Sequence, residues 1–371
     1  MKIAIISDGM NLNTGYGKIA LNLAKEMAIN GIDVFGISLS LQGNPVTYHD
    51  AESGLTFPIY SGMVFENNNT NVMDNAIKEI KPDALVTIRD PVTFAPQGFQ
   101  YAFNLEKWKG KIKRYSYIPI MNPFIPTLVF NQLVKNSDYV FTFTDTAENM
   151  LVRAGMPYNM VSTVPLGYDP LIFKKSEPRL KMDGKNIFGF IGLNNDKRKM
   201  SLSLLLALKE YLKDDPTAML YFHNSLNRQY PLVSRITELG LNGHIIAPME
   251  RGVTKWNPFA FLSESQMASL YSSFTATVSM SCTEGFNMPF LESMACGTPA
   301  VGVNMPFYNW SNQIIKVPSF ISEAQGDIGW ISDPKEFAEG MHKATQTKID
   351  TTKLEKYTWT NTFKSMLKVI K

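Results

Sequence analysis

Two glutamates, Glu284 and Glu292, stand with seven residues between them in the stretch EGFNMPFLESMACGTPAVGV, and Pro289 lies in the interval. Proline is favoured in the first turn of a helix, where its missing N–H is not needed. The spacing therefore predicts a helix that starts near Asn287 or Met288 and ends before Gly297, with Glu292 in its first turns and Glu284 in the loop before it. Such a junction offers backbone N–H groups at Phe286, Asn287 and Met288 and the positive end of a helix dipole, a setting for phosphate or sugar oxygens. Carboxylates beside it can accept hydrogen bonds from the vicinal hydroxyls of a ribose or a hexose. The competing reading is that both glutamates only complement the helix N-terminus, worth well under ~1 kcal/mol each when exposed.

The elements that must position this pair alternate along the chain. KIAIIS reads as a strand, DGMNLNTGYG as a turn-rich loop, KIALNLAKEMAING as a helix closed by glycine, and IDVFGIS as a second strand. This βαβ opening implies a parallel sheet. Strand and helix patterns continue to MVSTVP, after which LGYDPLIFKKSEPRLKMDGK carries prolines, glycine and lysines without periodicity and reads as a domain boundary. A second α/β series follows from NIFGFIG to PAVGV, with helical patterns at PKEFAEGMHKATQ and TNTFKSMLKVI near the end. The 371 residues suffice for two domains.

Composition narrows the class. Hydrophobic residues make up 44% and charged residues 19%, which suits a globular chain. A formal charge of +3 from scattered lysines tolerates nucleotides, phosphates or an acidic membrane surface without demanding nucleic acid. Two cysteines, Cys282 and Cys296, exclude a disulfide framework. No signal-peptide pattern or membrane-length apolar run is present, so the expectation is a cytoplasmic protein, with peripheral membrane association left open.

Further candidates lie at strand ends. Gly15 and Gly17 follow the first strand and allow close backbone approach to a phosphate or sugar, although G-x-G by itself often marks only a tight turn. Lys18 stands beside them. Asp90 in IRDP and Asn122 in IMNP each end an apolar strand, the edge where ligands gather in open α/β sheets; turn initiation before proline explains them equally well. His223 and His244 read as structural histidines, no Asp-x-Asp occurs, and the four histidines show no metal-ligand spacing.

The run SCTEGFNMPFLESMACGTPAV resembles the donor-site signature of family 4 glycosyltransferases, retaining enzymes of the GT-B fold, whose pattern is EGFGLPxLEAMACGTPV. NTGYGKIALNLAKEMAINGIDV is similar to the family's TGxGRxxxNLAxxLxxxGHEV, and VPLGYDPLIF to its VxPxGVDxxxF. ESQMASLYSSFTATVSMS resembles the helix and strand ahead of the signature, and YTWTNTFKSMLKVI the closing tryptophan-containing helix. The resemblance implies an α/β protein of GT-B architecture, two Rossmann-like domains with parallel sheets facing a cleft. Residues 1–174 would be the acceptor domain, 175–355 the nucleotide-sugar donor domain, and helix 356–371 would return to the first domain.

The resemblance also implies roles: Glu284 on the donor sugar, Glu292 on the nucleotide ribose, and Arg198 and Lys199 of LNNDKRKMS on the diphosphate. A departing diphosphate develops negative charge that must be neutralised, and Lys197, Arg198 and Lys199 supply cations at a strand–helix junction. Gly15, Gly17, Phe286, Asn287 and Met288 fall on the donor side, Asp90 and Asn122 on the acceptor side. Leu193 and Asn194 stand where relatives often carry another arginine, and no histidine lies between His49 and His223 to match one that many relatives place in the first domain.

The expected activity is a retaining, metal-independent transfer from a nucleoside-diphosphate sugar to a hydroxyl, with no cofactor. The alternatives are a non-catalytic nucleotide-sugar binder and a GT-B epimerase or phosphorylase. Glycan, lipid-linked sugar, protein and modified nucleic acid all stand as acceptors. SLQGNPVTYHDAESGLTFPIYSG and DPVTFAPQGFQYAF read as acceptor loops rich in aromatics that could stack on sugars, although aromatics in loops more often only anchor them.

Overall fold

The computed structural model describes residues 1–12, 14–51, 53–62, 71–94, 104–182, 184–192, 197–223, 226, 232–247, 262–324 and 327–370. They form two compact units, Met1–Gly167 with Trp359–Lys371, and Tyr168–Thr358. Tyr168 donates its N–H to the carbonyl of Tyr357 at 3.0 Å, and Phe173 packs on Tyr271 with ring centres 6.3 Å apart, so this part of the expected boundary region sits with the second unit.

In the first unit, β1 (Lys2–Ser7), α1 (Gly15–Ile29) and β2 (Asp33–Ser38) form the predicted βαβ opening. The helix starts earlier than its apolar pattern because Thr14 caps it, its hydroxyl accepting from the Gly17 N–H at 3.0 Å. β3 (Val46–His49) and β4 (Thr56–Ser61) follow, then α2 (Asn71–Ile80), β5 (Ala84–Ile88), β6 (Lys113–Ile118), α3 (Thr127–Asn136), β7 (Tyr139–Thr142), α4 (Asp145–Arg153) and β8 (Val161–Thr163). The strands lie in the order β3-β4-β2-β1-β5-β6-β7-β8, parallel except for the β3–β4 pair.

That pair corrects one expectation. The stretch read as the acceptor loop SLQGNPVTYHDAESGLTFPIYSG is in large part an antiparallel hairpin in which Thr47 pairs with Pro58. Pro45 and Pro58 hid the strands, since proline argues against a strand interior. Of the other loop, residues 95–103 lie outside the described residues.

The second unit begins with β9 (Ile187–Phe190), α5 (Ser201–Tyr211), β10 (Met219–Phe222), α6 (Leu232–Glu238) and β11 (Ile245–Ile246). It continues through α7 (Glu264–Tyr271), β12 (Ala276–Ser279), α8 (Met288–Ala295), β13 (Ala300–Val303) and β14 (Ile315–Val317). These strands form a parallel sheet in the order β11-β10-β9-β12-β13-β14. An antiparallel hairpin, β15 (Phe320–Ala324) and β16 (Asp327–Ile331), and α9 (Pro334–Ala344) complete the unit. β9, β10, β12 and β13 are buried along their whole length, as parallel strands covered on both faces must be.

The chain then returns: α10 (Trp359–Leu367) packs on α1 of the first unit, where Thr362 Oγ1 donates to the Pro165 carbonyl at 2.8 Å. Its Trp359, Phe363 and Met366 are buried. Among the described residues, no helix is long and apolar enough to cross a membrane.

Strand order fixes where each unit can bind. In open α/β sheets ligands collect beyond the carboxyl ends of the strands where the order reverses direction. That point lies between β1 and β5 in the first sheet and between β9 and β12 in the second.

Candidate functional site

The loops leaving β9 and β12 carry the basic turn and the first glutamate. Residues 193–196, including Leu193 and Asn194, lie outside the described residues; Lys197–Lys199 form one turn of 3-10 helix. The Arg198 carbonyl accepts from the Cys282 N–H at 2.8 Å, which ties this turn to the loop after β12. Arg198 and Lys199, 86 and 85 positions from Glu284 in the chain, both reach its carboxylate. Lys199 Nζ pairs with Oε1, and Arg198 Nη1 lies 3.3 Å from Oε2 and donates to the Thr283 carbonyl at 2.9 Å.

Glu284 is buried. Burial alone would raise its pKa, but Lys199 and Arg198, together with a hydrogen bond from Ser281, overcome that and hold it at about 2. The three side chains therefore carry two positive charges and one negative charge in a nearly closed setting. Each cation interacts with the carboxylate by about 4 kcal/mol at 4 Å in an effective dielectric near 20.

Two residues with left-handed backbone bracket these loops. Met200 (φ 50°) precedes α5, and Asn287 (φ 66°) precedes α8. A non-glycine residue in this region costs roughly 1–2 kcal/mol, and such residues cluster where surrounding structure holds a site in shape. Asn287 is held by its Nδ2, which donates to Tyr308 Oη at 2.9 Å.

The predicted helix is present as α8, with Pro289 in its first turn. Phe286 is buried and stacks on Trp310, ring centres 4.5 Å apart at 9°, while its carbonyl accepts from Trp310 Nε1 at 3.0 Å. Met288 is half-buried beside it. Glu292 faces inward and accepts from Tyr271 Oη at 2.9 Å. Neither glutamate serves chiefly as a helix-end complement: Glu284 answers two cations, and Glu292 lies beyond the first turn.

At the other switch point, Asp8 follows β1, and Arg89 and Asp90 follow β5. Thr14 Oγ1 donates to Asp8 Oδ2 at 2.8 Å, Asp8 pairs with Arg89, and Tyr16 Oη donates to Asp90 Oδ1. The Arg89 guanidinium lies 5.6 Å from the centre of the Tyr16 ring. The structure thus joins Asp90 to the Gly15–Gly17 turn through Tyr16; Asn122 lies half-buried beyond β6.

The two glycines differ. A Cβ on Gly17 would strike the carbonyl oxygens of Leu12 and Gly9, whereas Gly15 faces open space. Gly17 is required by loop packing; only Gly15 leaves room for a ligand. Lys18 lies within α1, its N–H donating to the Thr14 carbonyl at 2.9 Å.

Sequence reading missed Asp8, Tyr16, Arg89, Tyr271 and Trp310. A polar residue ending an apolar strand, as Asp8 does, was the one local signal. His223 is buried and hydrogen-bonded to Tyr221 at 2.9 Å, and burial lowers its pKa to about 4, so it is a neutral core histidine. Among the described residues, no three His, Cys, Asp or Glu side chains gather as a metal cluster.

Comparison with known proteins follows the same division. Residues 172–358, nearly the whole second unit, match the family of glycosyl transferases group 1. An uncharacterized glycosyltransferase 335 of Sulfolobus islandicus rod-shaped virus 1 is 32% identical over 116 residues, a match spanning 26% of this chain and 32% of that relative's length. Among solved structures, the sucrose-phosphate synthase of Thermosynechococcus elongatus is similar with a TM-score of 0.69 at 14% identity, covering 100% of this chain and 98% of that one. HepE of Anabaena, in complex with UDP and glucose, gives a TM-score of 0.68 at 12% identity, covering 100% and 99%. These likenesses establish the GT-B fold expected from the sequence, and with the family match over half its length the chain belongs to the group 1 glycosyl transferases.

Proposed function

We propose that this protein is a retaining glycosyltransferase that moves a sugar from a nucleoside-diphosphate sugar to a hydroxyl acceptor without a metal ion. The observation that carries the reading is the convergence of Arg198 and Lys199 on the buried, ionised Glu284 at the switch point of the second sheet. One carboxylate leaves the group with a net positive charge. A diphosphate placed there supplies the missing anion and is met by donors already held in position.

In the reaction, the bond from the sugar's anomeric carbon to the diphosphate oxygen breaks and its electron pair goes to that oxygen. Arg198 and Lys199 neutralise the developing charge. The acceptor hydroxyl attacks from the same face, and its proton passes to the departing phosphate oxygen, so the anomeric configuration is kept. Glu284 orients the sugar, and Glu292, positioned by Tyr271, accepts from the ribose hydroxyls. Gly15 is proposed as a donor-side residue, and Asp90 and Asn122 as acceptor-side residues. A UDP-linked donor is the first to try, because HepE, which shares the fold, was solved with UDP-glucose.

The test is calorimetry of the chelator-treated protein against UDP, GDP, ADP and their sugar conjugates, repeated with Lys199→Ala. We expect one nucleotide to bind without divalent metal and to weaken at least about tenfold in the variant. NMR of the transferred product should then show the donor's anomeric configuration. Binding that appears only with a divalent cation, or inversion at the anomeric carbon, would overturn the corresponding part. Donor binding with no transfer to any acceptor would leave the non-catalytic binder.

A further inference from the structure

We infer that the second unit carries another ligand site, distinct from the diphosphate cations, built for a phosphorylated sugar. Beside the donor loop lies an open cavity of about 490 Å³ lined by Asn309, Trp310, Asn312, Lys353, Lys356 and Tyr357, with Ser311 and Thr352 completing the wall. Its size falls within the range that holds small-molecule ligands.

The lining combines three kinds of recognition. Half-buried Trp310, backed by the buried Tyr357, supplies aromatic surface for the apolar face of a sugar ring. Asn312 supplies an amide donor and acceptor, and Asn309, whose Oδ1 accepts from Lys316 Nζ at 2.7 Å, adds its amide N–H groups, which suit hydroxyls that both give and take hydrogen bonds. The charged side chains of the wall, Lys353 and Lys356, are both cations, and lysine binds phosphate as a point charge. Lys356 Nζ stands 4.8 Å from the centre of the Tyr357 ring, so charge and aromatic surface are side by side. Asp350, 3.5 Å from Lys353, offsets part of one charge from outside the wall. A neutral sugar would use the rings and amides alone; a bare anion would use the lysines alone. A sugar phosphate uses both.

This wall is joined to the donor loop. Trp310 stacks on Phe286 and donates to its carbonyl, and the Tyr357 hydroxyl donates to the Trp310 carbonyl. Phe286 stands two residues after Glu284. A ligand pressing on Trp310 therefore bears on the segment that holds the glutamate, while its own binding does not depend on Arg198 or Lys199.

The experiment is a calorimetric titration of the full chain with glucose 6-phosphate, glucose and inorganic phosphate in parallel. It is repeated with the double variant Lys353→Ala/Lys356→Ala and with Lys199→Ala. Expected are one-to-one binding of glucose 6-phosphate, at least about tenfold tighter than either fragment, a loss of about tenfold or more in the double lysine variant, and no change in Lys199→Ala. Both lysines are exposed, so their removal spares the fold. Absence of saturable binding overturns the proposal, as does equal affinity for inorganic phosphate. So does binding lost in Lys199→Ala and kept in the double variant, which would place the probe on the diphosphate cations. Failure of the donor reading shows separately, in the nucleotide titrations.

Discussion

Glu284 is both the anion that answers the half-buried Arg198 and Lys199 and a ligand proposed for the donor sugar. Glu284→Ala should therefore lower turnover by about 10²-fold or more and also destabilise the fold, because two cations would be left facing each other. Its pKa of about 2, against an ordinary 4.5, gives the pH dependence a definite sign. The unfolded chain takes up the proton first as pH falls. The stability this group contributes, on the order of 3 kcal/mol, is thus complete above about pH 4.5 and lost between there and about pH 2. The urea midpoints of wild type and Glu284→Gln should differ most near neutrality and draw together progressively from about pH 4.5 toward about pH 2; a constant gap would place that ionisation elsewhere. Glu292→Ala is expected to weaken nucleotide binding roughly tenfold with a smaller change in turnover, and to leave the buried Tyr271 hydroxyl short of an acceptor at a cost of about 1–3 kcal/mol. Nucleotide affinity equal to wild type in that variant would remove Glu292 from the donor site.

The two site helices begin on backbone that side chains dictate. Gly17→Ala forces a Cβ into the Leu12 and Gly9 carbonyls, so the start of α1 must shift; a loss of roughly 2–3 kcal/mol is expected in thermal unfolding. Gly15→Ala meets nothing and should be neutral or stabilising by up to about 1 kcal/mol. If Gly15→Ala keeps its stability yet loses donor affinity, the open side of that turn is a ligand surface; unchanged affinity would reduce it to a helix start. Asn287→Gly should be tolerated better than Asn287→Ala, which strains the positive φ and also loses the bond to Tyr308. Most of these elements were legible because a helix repeats its apolar face every three to four residues and a parallel strand is a short apolar run. The β3–β4 hairpin was not, since Pro45 and Pro58 carry loop signals that sheet pairing overrides.

For the whole molecule, the first unit is completed by the last residues of the chain. A chain ending at Thr358 would lose Trp359, Phe363 and Met366 from their seat in that unit, each worth about 1.5–3 kcal/mol of burial. It should unfold in two steps, with the first unit melting well below the second. A single transition at the wild-type temperature would show that α10 is dispensable. What the sequence by itself determined was local: the alternation of strands and helices, the helix opening at Pro289, the glycine turn after β1, and the signature that marked the second unit. What only the tertiary structure decided were the partnerships across strands: Arg198 and Lys199 on Glu284, Tyr271 on Glu292, Arg89 on Asp8, and Trp310 beneath Phe286. The reason is physical. Periodicity reports which face of an element is buried, whereas a contact between residues some 85 positions apart depends on which strands lie side by side, and the order of a parallel sheet leaves no periodic trace in the chain.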